Sequence, residues 1–138
     1  MAFLIDTNII SEIQKGRNAE AGVQRWYDGV DRHDIFVSVL VIGELKIGIE
    51  RLRRRNAGQA QVLDQRMKRL ETLMGERILP VTKPIVERWV QYNVPDPISV
   101  IDGLIAATAA EHDLILVTRN VKDIERTGVR FLNPFPTP

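Results

Sequence analysis

The 138-residue chain predicts an α/β fold of three layers, a central parallel sheet with helices on both faces. Two observations carry that expectation. Short apolar, β-branched runs alternate along the chain with stretches of helical periodicity, the pattern of βαβ units and hence of a parallel sheet. Residues suited to capping helices stand where one period gives way to the other.

Ala2 to Ile5 is a short apolar run ended by Asp6-Thr7-Asn8, good helix caps before Ile9, Ile10 and Ile13, so a strand leads into a helix. Ile35 to Val39 is β-branched and aromatic, and Leu45, Ile49 and Leu52 follow at helical spacing. Residues 57 to 74 place Val62, Leu63, Met67, Leu70 and Met74 on one face of an amphipathic helix that Gly75 is placed to stop. That face, with the next helix containing Trp89, either forms a homodimer interface or simply covers the sheet. Ile78 to Val81 is a strand candidate, and Pro84 suits the first turn of a helix carrying Ile85, Val86, Trp89 and Val90. Ser99 is placed to cap a helix running to about His112, whose alanines allow close packing; this helix should be central and buried. Leu114 to Val117 and Val129 to Leu132 complete the strand candidates. Residues 1–138 are expected to form a single domain.

Composition narrows the chemistry. The chain has no Cys, which excludes disulfides, thiolate zinc sites and a cysteine nucleophile. Only two histidines are present, His33 and His112, both in polar surroundings that suit surface positions, whereas 18 acidic residues offer ample oxygen ligands for Mg²⁺ or Mn²⁺. The net charge of +1 means that nucleic-acid binding would need a local patch. The candidate is Arg51, Arg53, Arg54 and Arg55, a run that equally suits a solvated helix end. The first residues show no basic leader and no apolar stretch approaches the roughly 20 residues of a membrane span, so a soluble, cytoplasmic protein with no membrane partner is expected. Trp26, Trp89 and Phe36 belong either to the core or to a subunit interface.

In open parallel sheets the ligand site lies beyond the carboxyl ends of the strands. Asp6 directly follows the first strand, Glu44 lies in the helix after the second, Asp102 opens the small-residue helix, and Asn120 and Asp123 follow the strand ending at Val117. Gathered at one rim, these carboxylates repel one another unless a cation neutralises them. Mg²⁺ is usually held by one or two carboxylates plus substrate phosphates, so a phosphodiester is the fitting substrate and hydrolytic cleavage the reaction. Each acid also has a plainer use: Asp6 as a helix cap, Asp102 in a variant capping box Ser99-Val100-Ile101-Asp102, Glu44 as a surface acid. Glu44 interrupts an apolar run and is accompanied by Gly43 and Gly48, whose cost inside a helix of about 1 kcal/mol each suggests close packing or access there.

Phe3 to Glu12, Val41 to Gly48, Asp102 to Ala109 and Thr118-Arg119-Asn120 together resemble, in order, the four motifs of the PIN domain. The likeness extends to the VapC- and FitB-type toxins of bacterial toxin–antitoxin pairs, including the closing Phe131-Leu132-Asn133-Pro134-Phe135. It implies a Mg²⁺- or Mn²⁺-dependent endoribonuclease acting on RNA, a homodimer, and a cognate antitoxin whose tail occupies the active-site groove. It further implies that Asp6, Glu44 and Asp102 bind the metal, that Thr118 helps hold the site, and that Asn8 supports Asp6. Where FitB-like members place an acid after Thr-Arg, this chain has Asn120. If residues 120 to 124 form a helical turn, Asn120 and Asp123 share a face, so Asp123 is expected to supply the fourth charge and Asn120 to orient a water. A nuclease that processes RNA without an antitoxin, and an inert binding module on the same fold, are the alternatives.

Overall fold

Leu4 and Ile5 are consecutive in a strand and point to opposite faces of the sheet, yet both are buried, as are Leu116 and Val117. Both faces of the sheet are therefore covered by other layers. The computed structural model describes residues 1–136. Five strands, β1 (Phe3–Ile5), β2 (Ile35–Ser38), β3 (Ile78–Leu79), β4 (Ile115–Val117) and β5 (Phe131–Leu132), lie in the order β3-β2-β1-β4-β5, every neighbouring pair parallel. Seven α-helices are described: α1 (Thr7–Ile13), α2 (Ala21–Asp28), α3 (Val39–Arg53), α4 (Ala57–Met74), α5 (Lys83–Tyr92), α6 (Val100–Glu111) and α7 (Val121–Glu125). The α/β class with a parallel central sheet is the one the alternation of periods predicts.

The strand order places the site. From β1 the chain steps one way to β2 and β3, then returns to β4 on the other side of β1, so the direction of winding reverses between β1 and β4. Helices after strands on the two sides of such a point diverge, leaving a crevice at the carboxyl ends. Ile5 pairs with Val117, and the next residue, Asp6, donates its backbone N–H to the Val117 carbonyl at 3.0 Å. The crevice thus opens between Asp6 and Thr118.

Several boundaries differ from the expectation, each for a local reason. Val39 belongs to α3, not to β2, because the Ser38 hydroxyl accepts the Leu40 N–H at 3.1 Å and caps the helix one residue earlier. β3 ends at Leu79 before Pro80, and β4 and β5 are shorter than the apolar runs that contain them. Helix α2 was absent from the periodicity reading, although Val23, Trp26 and Tyr27 have helical spacing. It packs on α1, with Trp26 edge-on against Phe3 at 5.4 Å.

The apolar stripe of α4 covers the fold within this chain. Met67 and Met74 are buried, Leu63 and Leu70 pack partly buried against the core and α3 lies alongside. Val62 falls off the stripe and is exposed. Trp26 and Phe36 pack against the same core, and Trp89 is partly buried over α6. Gly75 ends α4 at φ +53°, and Pro84 sits in the first turn of α5, both as expected.

Glycines in α3 and α6 divide by environment. A Cβ on Gly103 would stand 2.7 Å from Ile98 Cγ2 and 2.9 Å from Trp89 Cδ1, so the absent side chain lets α5 approach α6 beside Asp102. At Gly43 and Gly48 a Cβ would meet nothing within 4 Å, so close packing does not explain them. Gly103→Ala should therefore destabilise by about 1–3 kcal/mol through overpacking. Gly48→Ala should stabilise by about 0.5–1 kcal/mol through helix propensity. Urea denaturation followed by tryptophan fluorescence checks both; equal signs would show that neighbouring space does not govern these positions.

Candidate active site

Asp6 stands at the end of β1 because a strand must end where its chain turns into a helix, and a carboxylate there accepts a free N–H of the first turn. Its Oδ1 accepts the Thr7 N–H at 2.7 Å, so the plain capping role is real. Its other oxygen does something a cap does not require. Asp6 Oδ2 accepts the hydroxyl of Thr118 at 2.8 Å, across the crevice, and both residues are buried. Thr118 Oγ1 in turn accepts the Asn120 N–H at 3.1 Å, turning the chain after β4 toward α6.

Asn120 occupies the N-cap position of α7 without capping it; its side-chain Nδ2 donates to Asp102 Oδ2 at 3.0 Å. The plainer use of Asp102 in a capping box is not completed at α6, where Ser99 makes no side-chain cap bond to the backbone. The Asp102 carboxyl is held by Asn120 and is also influenced by a hydrogen bond from Ser99. Asp123, in the first turn of α7, is exposed and acts on Asp102 by charge, so Asn120 and Asp123 both address the same carboxylate. Glu44 reaches the group from α3, where its Oε1 accepts the Thr7 hydroxyl at 2.6 Å.

The acids are electrostatically coupled. Burial pushes the Asp6 carboxyl above its usual range and the Glu44 charge adds to the rise, against the lowering effect of the Thr118 and Thr7 hydrogen bonds. Burial likewise raises Asp102, reinforced by the charges of Asp6, Asp123 and Glu44, against the lowering effect of a hydrogen bond from Ser99. Elsewhere Glu12, Glu50, Asp64, Glu71, Glu87, Glu111 and Asp113 have basic partners. Among the described residues none of Asp6, Glu44, Asp102 and Asp123 has one, and neither do several acids away from the crevice such as Asp28 and Glu125; what sets Asp6, Glu44 and Asp102 apart is that hydrogen bonds from neighbouring elements hold them at the crevice. No three acids or imidazoles there stand close enough to form a ready-made coordination cage. Oxygen donors spread more widely still suit Mg²⁺, which keeps several waters and needs only one or two carboxylates.

The other sequence-predicted residues fall as follows. Asn8 Oδ1 accepts the Arg119 N–H at 3.2 Å and steadies the loop whose Thr118 holds Asp6. Arg119 lies 4.6 Å over the ring of buried Phe135, tying the same loop to the C-terminal segment. Arg53 is engaged by Glu50 and Asp64, which removes it from a free basic patch. Arg51 and Arg54 border a shallow groove along α3 with Gly43, Lys46, Ile47 and Glu50, and Arg55 is exposed just beyond. His33 and His112 are both exposed, the latter at the far end of α6 from Asp102. Thr7 was read only as a cap residue; its hydroxyl bond to a side chain 37 positions away leaves no signal in local periodicity.

The raised carboxyls set a pH dependence in metal-free protein. An acid whose folded pKa exceeds its unfolded value contributes stability below the unfolded value, lost as pH rises through the folded one. Near neutral pH the charged Asp102 therefore opposes folding. In EDTA, Asp102→Asn should melt a few degrees above the parent near neutral pH, with the gap closing as pH falls toward the ordinary carboxyl range. Thermal melts across that range check this; a lower melting temperature for the variant at neutral pH would assign Asp102 a structural role.

The PIN domain matches residues 3–129. Toxin FitB of Neisseria gonorrhoeae is 31% identical over 138 residues, spanning 96% of this chain and 97% of that one. VapC ribonuclease Y4jK of Sinorhizobium fredii is 28% identical over 139 residues, with 96% of each chain covered. The crystal structure of FitAcB from Neisseria gonorrhoeae aligns with a TM-score of 0.87 at 30% identity, covering 96% of this chain and 97% of that chain. The domain match spans nearly the whole chain and a relative above 30% identity is covered almost end to end: the chain belongs to the PIN domain family.

Proposed function

We propose that the chain is a divalent-metal-dependent endoribonuclease that hydrolyses RNA phosphodiester bonds, and that it is the toxin of a type II toxin–antitoxin pair. The observation that carries this reading is the set of four acids at the β1/β4 switch point with no basic partner among the described residues. Relatives named as VapC ribonucleases and a toxin support it.

Asp6, Glu44 and Asp102, with Asp123 as the fourth charge, would hold Mg²⁺ or Mn²⁺. When bound, such an ion supplies the positive charge that activates water and offsets negative charge on the phosphate. The protein's own part is positioning. Thr118 holds the Asp6 carboxylate, Asn120 holds Asp102 and can orient a water, and Asn8 and Arg119 keep the loop between them in place. Glu44 and Arg51, seven positions apart on α3, fall on one side of the helix about 10 Å apart along its axis. RNA entering along the groove by Arg51 and Arg54 would meet cations first and the acids next, the backbone-binding step that fixes register before cleavage.

Partner-free protein should cleave RNA with Mg²⁺ or Mn²⁺ and stop in EDTA, with Asp6→Asn and Asp102→Asn losing roughly 100-fold or more of the rate. Cleavage that persists in EDTA would remove the metal. Inactivity of folded protein on a broad RNA panel would favour the inert module. In the same assay, Asp123→Asn should need markedly more Mn²⁺, whereas Asn120→Ala should mainly slow turnover. An Asp123→Asn enzyme equal to the parent in both places Asp123 outside the site.

Two partners follow from the reading. The first is a cognate antitoxin that covers the active-site groove. The second is another copy of the chain, met not through α4 but through exposed apolar residues of α5, where Val86 and Val90 lie one turn apart, with Val94 and Val100 beyond. Sedimentation should show a dimer that Val90→Glu weakens; a parent that is monomeric at micromolar concentration would exclude it.

A further inference from the structure

Glu44 is a charged side chain in the middle of α3 with little beside it to hold it still. Its neighbour at i+4 is Gly48 and its neighbour at i−1 is Gly43, and at both a Cβ would stand in open space. The helix therefore gives Glu44 no i+4 side chain to lean on. No salt bridge reaches it among the described residues. Its one side-chain hydrogen bond there comes from Thr7, at 2.6 Å.

Thr7 is placed to do more than fix one rotamer. Its backbone N–H donates to Asp6 Oδ1 at 2.7 Å while its hydroxyl donates to Glu44 Oε1, so one neutral residue holds two carboxylates whose charges oppose each other. Because it carries no positive charge, it brings Glu44 to Asp6 without neutralising either. Oε2 of Glu44 has no hydrogen-bond partner or salt bridge among the described residues and is available to a cation or its waters. An Arg or Lys in the same place would have paired with the acid and competed for that role.

We propose that Thr7 is the positioning residue of Glu44, its hydroxyl setting the separation of the Glu44 and Asp6 carboxylates before a divalent ion binds. The role rests on the metal-dependent reading above. Loss of the hydroxyl frees Glu44 to swing toward solvent, and the entropy of recovering it is then taken from metal affinity.

The experiment uses the full chain freed of metal, with Mn²⁺ binding read from the electron paramagnetic resonance signal of free Mn²⁺ and RNA cleavage measured in parallel. Thr7→Val keeps the shape and the N–H to Asp6 but lacks the hydroxyl. It should weaken Mn²⁺ binding by about 10-fold or more while the melting temperature of metal-free protein stays near the parent's. Thr7→Ser should restore parental affinity. In a Glu44→Gln background, Thr7→Val should add little, because the group it acts through has lost its charge. Parental Mn²⁺ affinity in Thr7→Val, or full additivity with Glu44→Gln, overturns the role of Thr7 and leaves the metal reading standing. A parent chain that binds no Mn²⁺ overturns both. Should Thr7→Val unfold, Thr7→Ser decides: a hydroxyl that fails to give parental affinity in a folded chain also overturns the role.

Discussion

The hydrogen bond from Thr118 to Asp6 joins residues 112 positions apart and lies buried where the winding of the sheet reverses. Everything at the crevice is arranged around it. Asp6 is fixed to the end of β1 and Thr118 to the end of β4, so the bond holds only if those two strands are neighbours in register. Thr118 then passes the constraint through Asn120 to Asp102, and Asp6 passes it through Thr7 to Glu44. Three carboxylates on three separate elements thus share one mechanical reference.

The arrangement opposes the ordinary energetics of a folded protein. Charge-assisted hydrogen bonds such as those Asp6 accepts contribute about 1.5–3 kcal/mol each. Burying an ionised carboxylate without a cation costs several kcal/mol. The direction of the Asp6 shift shows which effect wins: desolvation outweighs its two hydrogen bonds. No Lys or Arg pairs with these acids among the described residues, and the surrounding apolar packing has to offset the cost of burying Asp6. The core does so with an unbroken set of buried aliphatics from β1, β2, β4, α1 and α6.

Close packing and openness are divided along the same lines. Gly103, next to Asp102, is a glycine because α5 leaves no room for a Cβ, and this fixes α6 against its neighbour. Gly43 and Gly48, flanking Glu44, are glycines with empty space around them. One side of the site is braced by its backbone packing, and the other depends on a single hydroxyl.

Much of this was legible in the sequence. Period-2 and period-3.6 patterns are local properties, so the alternation of strands and helices, the α/β class and the positions of Asp6 just after a strand, Asp102 early in a helix and Glu44 within the helix after the second strand could be read directly. Boundaries shifted where a cap decided them, as at Ser38, and α2 went unread because its short stripe of Val23, Trp26 and Tyr27 buries only one residue fully. Only the tertiary structure decided the strand order, and with it which strand ends face each other. It also decided that Asn8 accepts the Arg119 N–H, that Arg53 is held by Asp64, and that Thr7 is the partner of Glu44. The reason is physical: hydrophobic periodicity records how each element meets the core, whereas a hydrogen bond between residues 37 or 112 positions apart exists only once separate elements have packed.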